Sequence, residues 1–227
     1  MLRNPLYKPR IIAELGSCHM GSLERILTVI DSLEGTGIDL KLQLFPDKAP
    51  YTPTNIYLPQ DMFTKAFFYA RGKGVNLSAS VFDKESFEFL LEHRPTFIKF
   101  AYSKKEQVEW VEETLSNKIE AIVSCDIMTD SKVPKEATKL YCIPEYPVRY
   151  EVNFDELFPR FFGFSDHTLG FRQTQKALET GAKLIEKHVR IGLNDETCPD
   201  AFFAVKVFDL LNNQEMRKFR FHESISS

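Results

Sequence analysis

Eight short segments rich in apolar and β-branched residues alternate with helix-like stretches along the chain, and no other feature limits the fold as strongly. Successive segments begin about 20 to 35 residues apart, which is the length that a strand, a helix and their connections require. The predicted strands are residues 10–15, 40–45, 75–82, 96–102, 120–126, 139–146, 161–166 and 183–189. Eight consecutive βα units predict an α/β protein with a single (β/α)8 TIM barrel.

The stretches between the strands have the apolar periodicity of helices. Residues 22–37 and 171–182 combine a repeating apolar face with glycines near their ends, and 84–95 stops at a proline. Residues 207–221 are predicted as the last helix. A doubly wound open sheet is the alternative, but the sequence lacks its glycine-rich phosphate-binding motif. Because no linker rich in proline or serine interrupts the pattern, we expect one barrel domain over 1–227.

The composition narrows the range of partners and compartments. The 227 residues carry a formal net charge of −3 and are 43% hydrophobic, so a globular core is expected and a polyanion such as nucleic acid is not. Four scattered cysteines without a C-x-x-C pair are typical of a reducing compartment. Because the sequence contains no apolar stretch of membrane-spanning or signal-peptide type, we expect a cytoplasmic protein without a membrane partner.

Polar side chains gather near the carboxyl ends of the predicted strands, where barrels carry their chemistry. Alternation along the strands gives the set Glu14, Lys41, Gln43, Ser78, Ser80, Lys99, Ser124, Ser165, His167, Glu186 and His188. A single member is equally compatible with a hydrogen-bonded core residue, but so many together predict a site. Two lysines with serine hydroxyls suit phosphate and carboxylate groups. Two histidines on adjacent strands suit a divalent metal.

Seven motifs resemble those of the sialic acid synthases, in the same order and at similar spacing. They are IIAELGSCHMGS (11–22), KLQLF (41–45), FIKFA (97–101), EYPV (145–148), GFSDHTLG (163–170), IEKHV (185–189) and CPD (198–200). The most specific element is S-D-H-T-L-G with E-K-H on the next predicted strand. The resemblance implies an enzyme that condenses phosphoenolpyruvate with an N-acylhexosamine such as N-acetylmannosamine. The products would be a nonulosonic acid and phosphate.

The resemblance also implies a role for each matching position. His167 and His188 match metal ligands, and Mn²⁺ is expected, with Mg²⁺ or Co²⁺ as alternatives. The positions matched to phosphoenolpyruvate are Lys41, Ser80, Lys99, Ser124 and Ser165, and those matched to the acceptor sugar are Glu14, Gln43, Asn55, Phe82, Tyr146 and Asp200. Of these, Glu14, Lys41, Lys99 and the two histidines are expected to be catalytic. Asp166 lies on the strand face opposite to His167, and two roles are open for it: capping the following turn or orienting a neighbour, and direct chemistry.

The sequence departs from the family pattern after the fourth and fifth predicted strands. A G-S-G-E-like turn is replaced by Ala101, Tyr102, Ser103 and Lys104, and S-T-G-M is replaced by Ser124, Cys125, Asp126 and Ile127. Ser103 is expected to supply the lost substrate-binding hydroxyl. Lys104 predicts a more acidic acceptor or an additional phosphate contact. Typical members also continue into a small antifreeze-like domain that this sequence does not contain, so sugar binding is expected to differ, and a homodimer stays open.

Three functions are therefore compatible with the sequence. The first is a metal-dependent synthase of a sialic-acid-like sugar acid. The second is condensation of phosphoenolpyruvate with another aldose or an aldose phosphate. The third is a degenerate barrel that binds a ligand without turnover. The retained lysines and histidines favour catalysis, whereas the altered turn at 101–104 favours the third.

Overall fold

A closed parallel barrel forms the centre of the molecule. The computed structural model describes residues 8–46, 57–158, 160–192 and 198–213. Its strands are β1 (Arg10–Glu14), β2 (Asp39–Leu44), β3 (Leu77–Val81), β4 (Phe97–Phe100), β5 (Glu120–Cys125), β6 (Thr138–Cys142), β7 (Gly163–Asp166), β8 (Leu184–Arg190) and β9 (Val205–Lys206). Each strand pairs in parallel with the next, and β1 also pairs with β8. The predicted (β/α)8 barrel is confirmed, with β9 as a short extension beside β8.

The helical layer is less regular than the sequence predicts. The helices are α1 (Leu23–Leu33), α2 (Gln60–Gly72), α3 (Lys84–Glu92), α4 (Val108–Ser116), α5 (Arg172–Thr180) and α6 (Val207–Asn212). The predicted helices at 22–37, 84–95 and 171–182 are confirmed but shorter. The prediction for 207–221 is confirmed over α6, and its end lies outside the described residues. Within 126–158 and 160–162 no α-helix follows β5 or β6; the chain forms only a 3-10 helix at Asp130–Lys132.

Two predicted strands also extend too far. The prediction 139–146 is wrong beyond Cys142, where β6 ends. Pro144 cannot donate a ladder hydrogen bond, and the Tyr146–Pro147 peptide is cis. The prediction 96–102 is wrong beyond Phe100, because residues from Tyr102 form a 3-10 helix. Both errors lie at the carboxyl ends of strands, where the chain leaves the sheet to form the mouth of the barrel.

Alternation along the strands separates two apolar regions. Outward residues such as Leu40 and Leu42 on β2 pack in the main core under the helices. Inward residues form a small buried cluster inside the barrel: Ile12, Phe97, Ile122, Leu140 and Leu184. This cluster is the floor of the barrel, and its burial removes water from beneath the polar residues that follow on each strand. The space open to a ligand is therefore at the carboxyl ends.

Gly163 permits the close approach of β7 and β8 on which barrel closure depends. A side chain at this position would overlap the backbone carbonyl of Leu184. The neighbouring backbone cannot yield without disturbing the β7–β8 register, in which Gly163 is the partner of Leu184.

Replacement of Gly163 by alanine is expected to lower the free energy of unfolding by about 3 kcal/mol, because the added methyl group overpacks a rigid backbone contact. Gly72→Ala, at the end of α2, is the matched control, since a methyl group added there would meet no atom within 4 Å. Alanine at position 72 should be neutral or stabilising by up to about 1 kcal/mol. Urea unfolding followed by circular dichroism measures both, and equal effects would contradict the prediction.

Candidate active site

A cluster of buried charges lies immediately above the floor. Lys41 on β2 and Lys99 on β4 approach Glu186 on β8 from two sides, with Nζ to carboxylate distances of 3.7 and 3.4 Å. Each ammonium group also donates to a serine, Lys41 to Ser80 and Lys99 to Ser124, at 2.8 Å in both cases. All five residues are buried. The structure thus brings together two cations, one anion and two hydroxyls.

Strand register explains why these residues reach the same level. Ser80 is the partner of Lys99 on β4, and Glu14 is the partner of Lys41 on β2. Glu14 forms an ion pair with Lys41, while its Oε1 has no hydrogen-bond partner in the described part of the chain. Ser165 on β7 donates to Glu186 Oε1 at 2.8 Å. The predicted grouping of Glu14, Lys41, Ser80, Lys99, Ser124 and Ser165 is what the structure brings together.

The charges in this cluster depend on one another. Burial lowers the pKa of Lys41 to about 7, although Glu186 partly opposes the shift. Burial alone would raise the pKa of Glu186, but Lys41 and Lys99 outweigh burial and hold that pKa at about 2. Glu186 is therefore an anion at any physiological pH. Lys41 titrates near neutrality, so its charge responds to the arrival of another anion.

His167 and His188 lie side by side at the mouth, with ring centroids 5.5 Å apart. His167 Nδ1 is 3.0 Å from the carbonyl of Ile143, so it donates a hydrogen bond and Nε2 carries the lone pair. His188 Nδ1 is buried and accepts no hydrogen bond among the described residues. Burial lowers the pKa of both rings, that of His188 to about 3. Both imidazoles are neutral at pH 7, which is the form that binds metals.

The donors available for a metal are these two rings. Across residues 8–46, 57–158, 160–192 and 198–213 no group of three His, Cys, Asp or Glu side chains could hold a metal ion. The unbonded His188 Nδ1 and the His167 lone pair fit a divalent ion that takes its remaining ligands from water and substrate.

Aromatic and acidic side chains surround the histidines. The ring of Tyr146 lies 4.2 Å from that of His167, and the ring of Phe203 lies 4.7 Å from that of His188. Asp200 Oδ2 lies 3.8 Å from His188 Nδ1. These groups form the wall of the mouth beside the two imidazoles, and they include the predicted Tyr146 and Asp200.

Asp200 is held in place by the loop that follows β1. Ser17 donates to Asp200 Oδ2 from its backbone amide at 2.7 Å and from its hydroxyl at 2.8 Å. Gly16 has a φ of +51°, and a side chain there would overlap the Asp200 carboxylate. The glycine is therefore required both by its backbone conformation and by the close approach of Asp200.

The remaining predicted substrate residues are less closely grouped. Gln43 is half-buried on β2, and Phe82 is half-buried after β3, where its ring stacks on Phe45 at 4.1 Å. Ser103 is exposed, so the structure does not bring its hydroxyl into the buried lysine cluster. Asn55 lies outside the described residues.

A hydrogen bond joins the altered turn after β4 to the turn after β5. Tyr102 donates its hydroxyl to Asp126 Oδ2 at 2.5 Å, and this hydrogen bond raises the pKa of Tyr102 to about 12. The ammonium group of Lys105 lies 3.8 Å from the centre of the Tyr102 ring. Asp126 Oδ1 in turn accepts from the backbone amide and hydroxyl of Thr129. The bulky tyrosine is thus directed toward the loop after β5.

Sequence reasoning did not assign a role to Glu186 or Ser17. Glu186 was included in the inward polar set because it shares a strand face with His188, but alternation does not show that two lysines flank its carboxylate. Ser17 has no comparable signal, because its contact with Asp200 joins residues that are distant in the sequence. The capping role of Asp166 is confirmed, since its Oδ1 accepts from the Thr168 amide at 2.7 Å and caps the turn.

The structure is thus a closed (β/α)8 barrel with lysines, serines and histidines buried at the carboxyl ends of its strands. A family model described as the NeuB family matches residues 51–219. The chain belongs to the NeuB family. This agrees with the resemblance to sialic acid synthases found in the motifs.

Curated relatives carry related names. The chain is 28% identical to pseudaminic acid synthase of Campylobacter jejuni over 82% of this chain and 66% of that protein. It is 25% identical to N,N'-diacetyllegionaminic acid synthase of Legionella pneumophila over 78% of this chain and 63% of that protein. The chain thus spans less than two thirds of the length of either relative.

A solved structure supports the fold. The crystal structure of N-acetylneuraminic acid synthetase from Leptospira borgpetersenii, in complex with citrate, superimposes with a TM-score of 0.82. It covers 100% of this chain and 91% of that chain at 20% identity, a similarity that establishes the fold alone. No helix in the described part of this chain is both long and apolar enough to cross a bilayer.

The affinity of the buried lysine cluster for a phosphate-bearing anion, probed with phosphoenolpyruvate, is expected to fall as the pH rises from 7.5 to 9, by up to about tenfold per pH unit. The pKa of Lys41 is lowered to about 7, so the ammonium form is present below that pH and is lost above it. The ligand's own phosphate, with a second pKa near ~6, is fully ionised throughout this range. Isothermal titration calorimetry measures the affinity.

Lys41→Arg should bind with little dependence on pH over the same range, because a guanidinium group stays charged. Lys84→Met is the control, since this side chain is exposed on α3 and should leave the dependence unchanged. A pH-independent affinity in the unaltered protein would contradict the assignment of Lys41.

Proposed function

We propose that this chain condenses phosphoenolpyruvate with the open-chain aldehyde of an N-acylhexosamine, of the N-acetylmannosamine type, to form a sialic-acid-like nonulosonic acid and phosphate. The observation that carries the proposal is the position of the lysine–serine cluster beside His167 and His188, at the carboxyl ends of one barrel. Membership of the NeuB family and the names of the curated relatives support it.

Phosphoenolpyruvate would occupy the space above the floor. Lys41 and Lys99 would neutralise its phosphate and carboxylate, while Ser80, Ser124 and Ser165 would donate hydrogen bonds. Before the ligand arrives, Glu186 and Glu14 balance the two ammonium groups. Binding of the ligand would raise the pKa of Lys41 and secure its charge.

The acceptor sugar would lie nearer the mouth. Glu14 is suited to accept a sugar hydroxyl or to move a proton, because its Oε1 has no hydrogen-bond partner in the described residues. Asp200 and Tyr146 flank the histidines and are suited to the sugar hydroxyls and its apolar ring face. Gln43, Phe82, Ser103 and Asn55 remain predicted contacts of the acceptor or the phosphate.

His167 and His188 would hold Mn²⁺, with Mg²⁺ or Co²⁺ as alternatives. When bound there, the ion supplies Lewis acidity toward the aldehyde oxygen. His167 is oriented for this by its hydrogen bond to the carbonyl of Ile143.

The chemistry follows from the placement of the two substrates. C3 of phosphoenolpyruvate forms a bond to the aldehyde carbon, and the aldehyde oxygen takes up a proton to become a hydroxyl. Water adds to the cationic C2, and the C2–O bond to phosphate breaks to leave a ketone and inorganic phosphate. Of the two protons that the water loses, one balances the proton taken up by the aldehyde oxygen and the other leaves with the phosphate. Lys41 and Lys99 hold the phosphate and carboxylate in near-attack geometry, and the buried floor keeps bulk water from beneath them.

The test is Mn²⁺-dependent release of phosphate from phosphoenolpyruvate across a panel of N-acyl hexosamines and their 6-phosphates. We expect an unphosphorylated N-acylhexosamine to stimulate release, with formation of a keto acid that mass spectrometry identifies. Stimulation only by a 6-phosphate or by a different aldose would support the second function, which Lys104 on the altered turn favours. No stimulation by any acceptor would support a barrel that binds without turnover.

His167→Ala and His188→Ala should each reduce turnover at least about 100-fold, because each removes one of two metal donors. His93→Ala is the matched control: its ring packs among phenylalanines of α2 and α3, far from the mouth. Steady-state kinetics measure turnover, and thermal unfolding verifies that the barrel is intact. Full activity in either mouth variant would refute the role of these histidines.

A further inference from the structure

We infer that Asp166 and Lys187 form a positioning ion pair that sets the separation and orientation of the His167 and His188 rings. The inference rests on the proposed function in that the two histidines serve a common metal. Neither residue contacts the space above the floor, and both act through their chain neighbours.

Strand register places the pair directly beside the histidines. Asp166, the last residue of β7, is the partner of Lys187 on β8; His167 follows β7 directly, and His188 is the next residue of β8. Because successive side chains on a strand point to opposite faces, the ion pair lies on the outer face and the two imidazoles lie on the inner face. The two imidazoles, whose ring centroids lie 5.5 Å apart, therefore come directly after the residues of the ion pair.

Lys187 contacts the residues that precede and follow His167. Its Nζ lies 3.0 Å from Asp166 Oδ2 and donates to the backbone carbonyl of Thr168 at 2.5 Å. The lysine thus contacts the residue before and the residue after His167, so a rotation of the His167 backbone would break at least one of these contacts. This fixes the direction from which the imidazole enters the mouth.

Asp166 also accepts hydrogen bonds from residues that follow His167. Its Oδ1 accepts from the amide and the hydroxyl of Thr168, both at 2.7 Å. Its Oδ2 accepts from the hydroxyl of Thr174 on α5. The Asp166 carboxylate therefore couples the turn after β7, the β8 strand and a covering helix.

Stability alone does not account for these charges. Asp166 and Lys187 are both 0% exposed, and a well-packed apolar pair at a buried site is commonly as stable as an ion pair. A fully hydrogen-bonded ion pair is satisfied in only one geometry, whereas an apolar pair can pack in several. That property matters where two imidazoles must converge on one ion, and the ion pair immediately precedes both of them.

The test compares the double variant Asp166→Asn/Lys187→Met with the unaltered protein. This variant removes both charges together and so leaves no unpaired buried ion. We expect a folded barrel whose affinity for Mn²⁺, measured by calorimetry, is reduced about 10- to 100-fold. The imidazole carbon–proton NMR signals of His167 and His188 should shift, while those of His19 and His93 stay in place.

Asp39→Asn is the control, because it breaks the buried contact with Arg10 at the opposite end of the barrel. It should lower stability without changing the His167 and His188 signals. Should the double variant fail to fold, Thr174→Val removes one hydrogen bond from Asp166 and should shift the same two signals by a smaller amount.

Different results would refute the positioning role and the metal site. Unchanged signals of His167 and His188 in a folded double variant, or in Thr174→Val, would overturn the positioning role whatever the affinity for metal. An unaltered protein that binds no Mn²⁺ would refute the metal site of the proposed function, while the NMR comparison would still decide whether Asp166 and Lys187 position the rings.

Discussion

Glu186 lies between Lys41 and Lys99 in the interior of the barrel, and this arrangement makes the rest of the site possible. An isolated buried ammonium group costs several kcal/mol or loses its proton. With one carboxylate shared between them and Glu14 beside Lys41, the two lysines stay inside the protein without a ligand. Burial nevertheless lowers the pKa of Lys41 to about 7, so the site can gain positive charge when an anion enters.

The apolar floor strengthens the electrostatic interactions among these charged groups. Ile12, Phe97, Ile122, Leu140 and Leu184 seal the barrel below the lysines, and Coulomb interactions grow as water is excluded. On the far side of the floor, Arg10 contacts Asp39 and so keeps that end of the barrel occupied by its own ion pair. The lysine–serine cluster is therefore confined to one end, where strand alternation and register place it, while loop residues such as Tyr146 and Asp200 complete the mouth.

The features that follow from strand periodicity could be predicted from the sequence. Alternation placed Lys41, Lys99 and His188 on inward faces, and parallel register pairs Glu14 with both Lys41 and His188. Contacts between residues distant in sequence could not be predicted in this way. The link from Ser17 to Asp200 depends on how two loops meet. Between β5 and β7 the described residues form no α-helix. Local contacts hold these loops, and such contacts leave no periodic pattern in the sequence.

The two departures from the family pattern at the mouth contact each other in the structure. Tyr102 belongs to the altered turn after β4 and Asp126 to the altered segment after β5, and the two side chains are joined by a hydrogen bond. A sequence drifting without function has no reason to introduce a donor and an acceptor at positions that meet in space. The bond draws the phenol toward Asp126, so the tyrosine need not fill the space beside Lys99 and Ser124. The altered turn is thus joined to the altered segment after β5, and under the proposed function it would bear on the choice of acceptor more than on the capacity for catalysis.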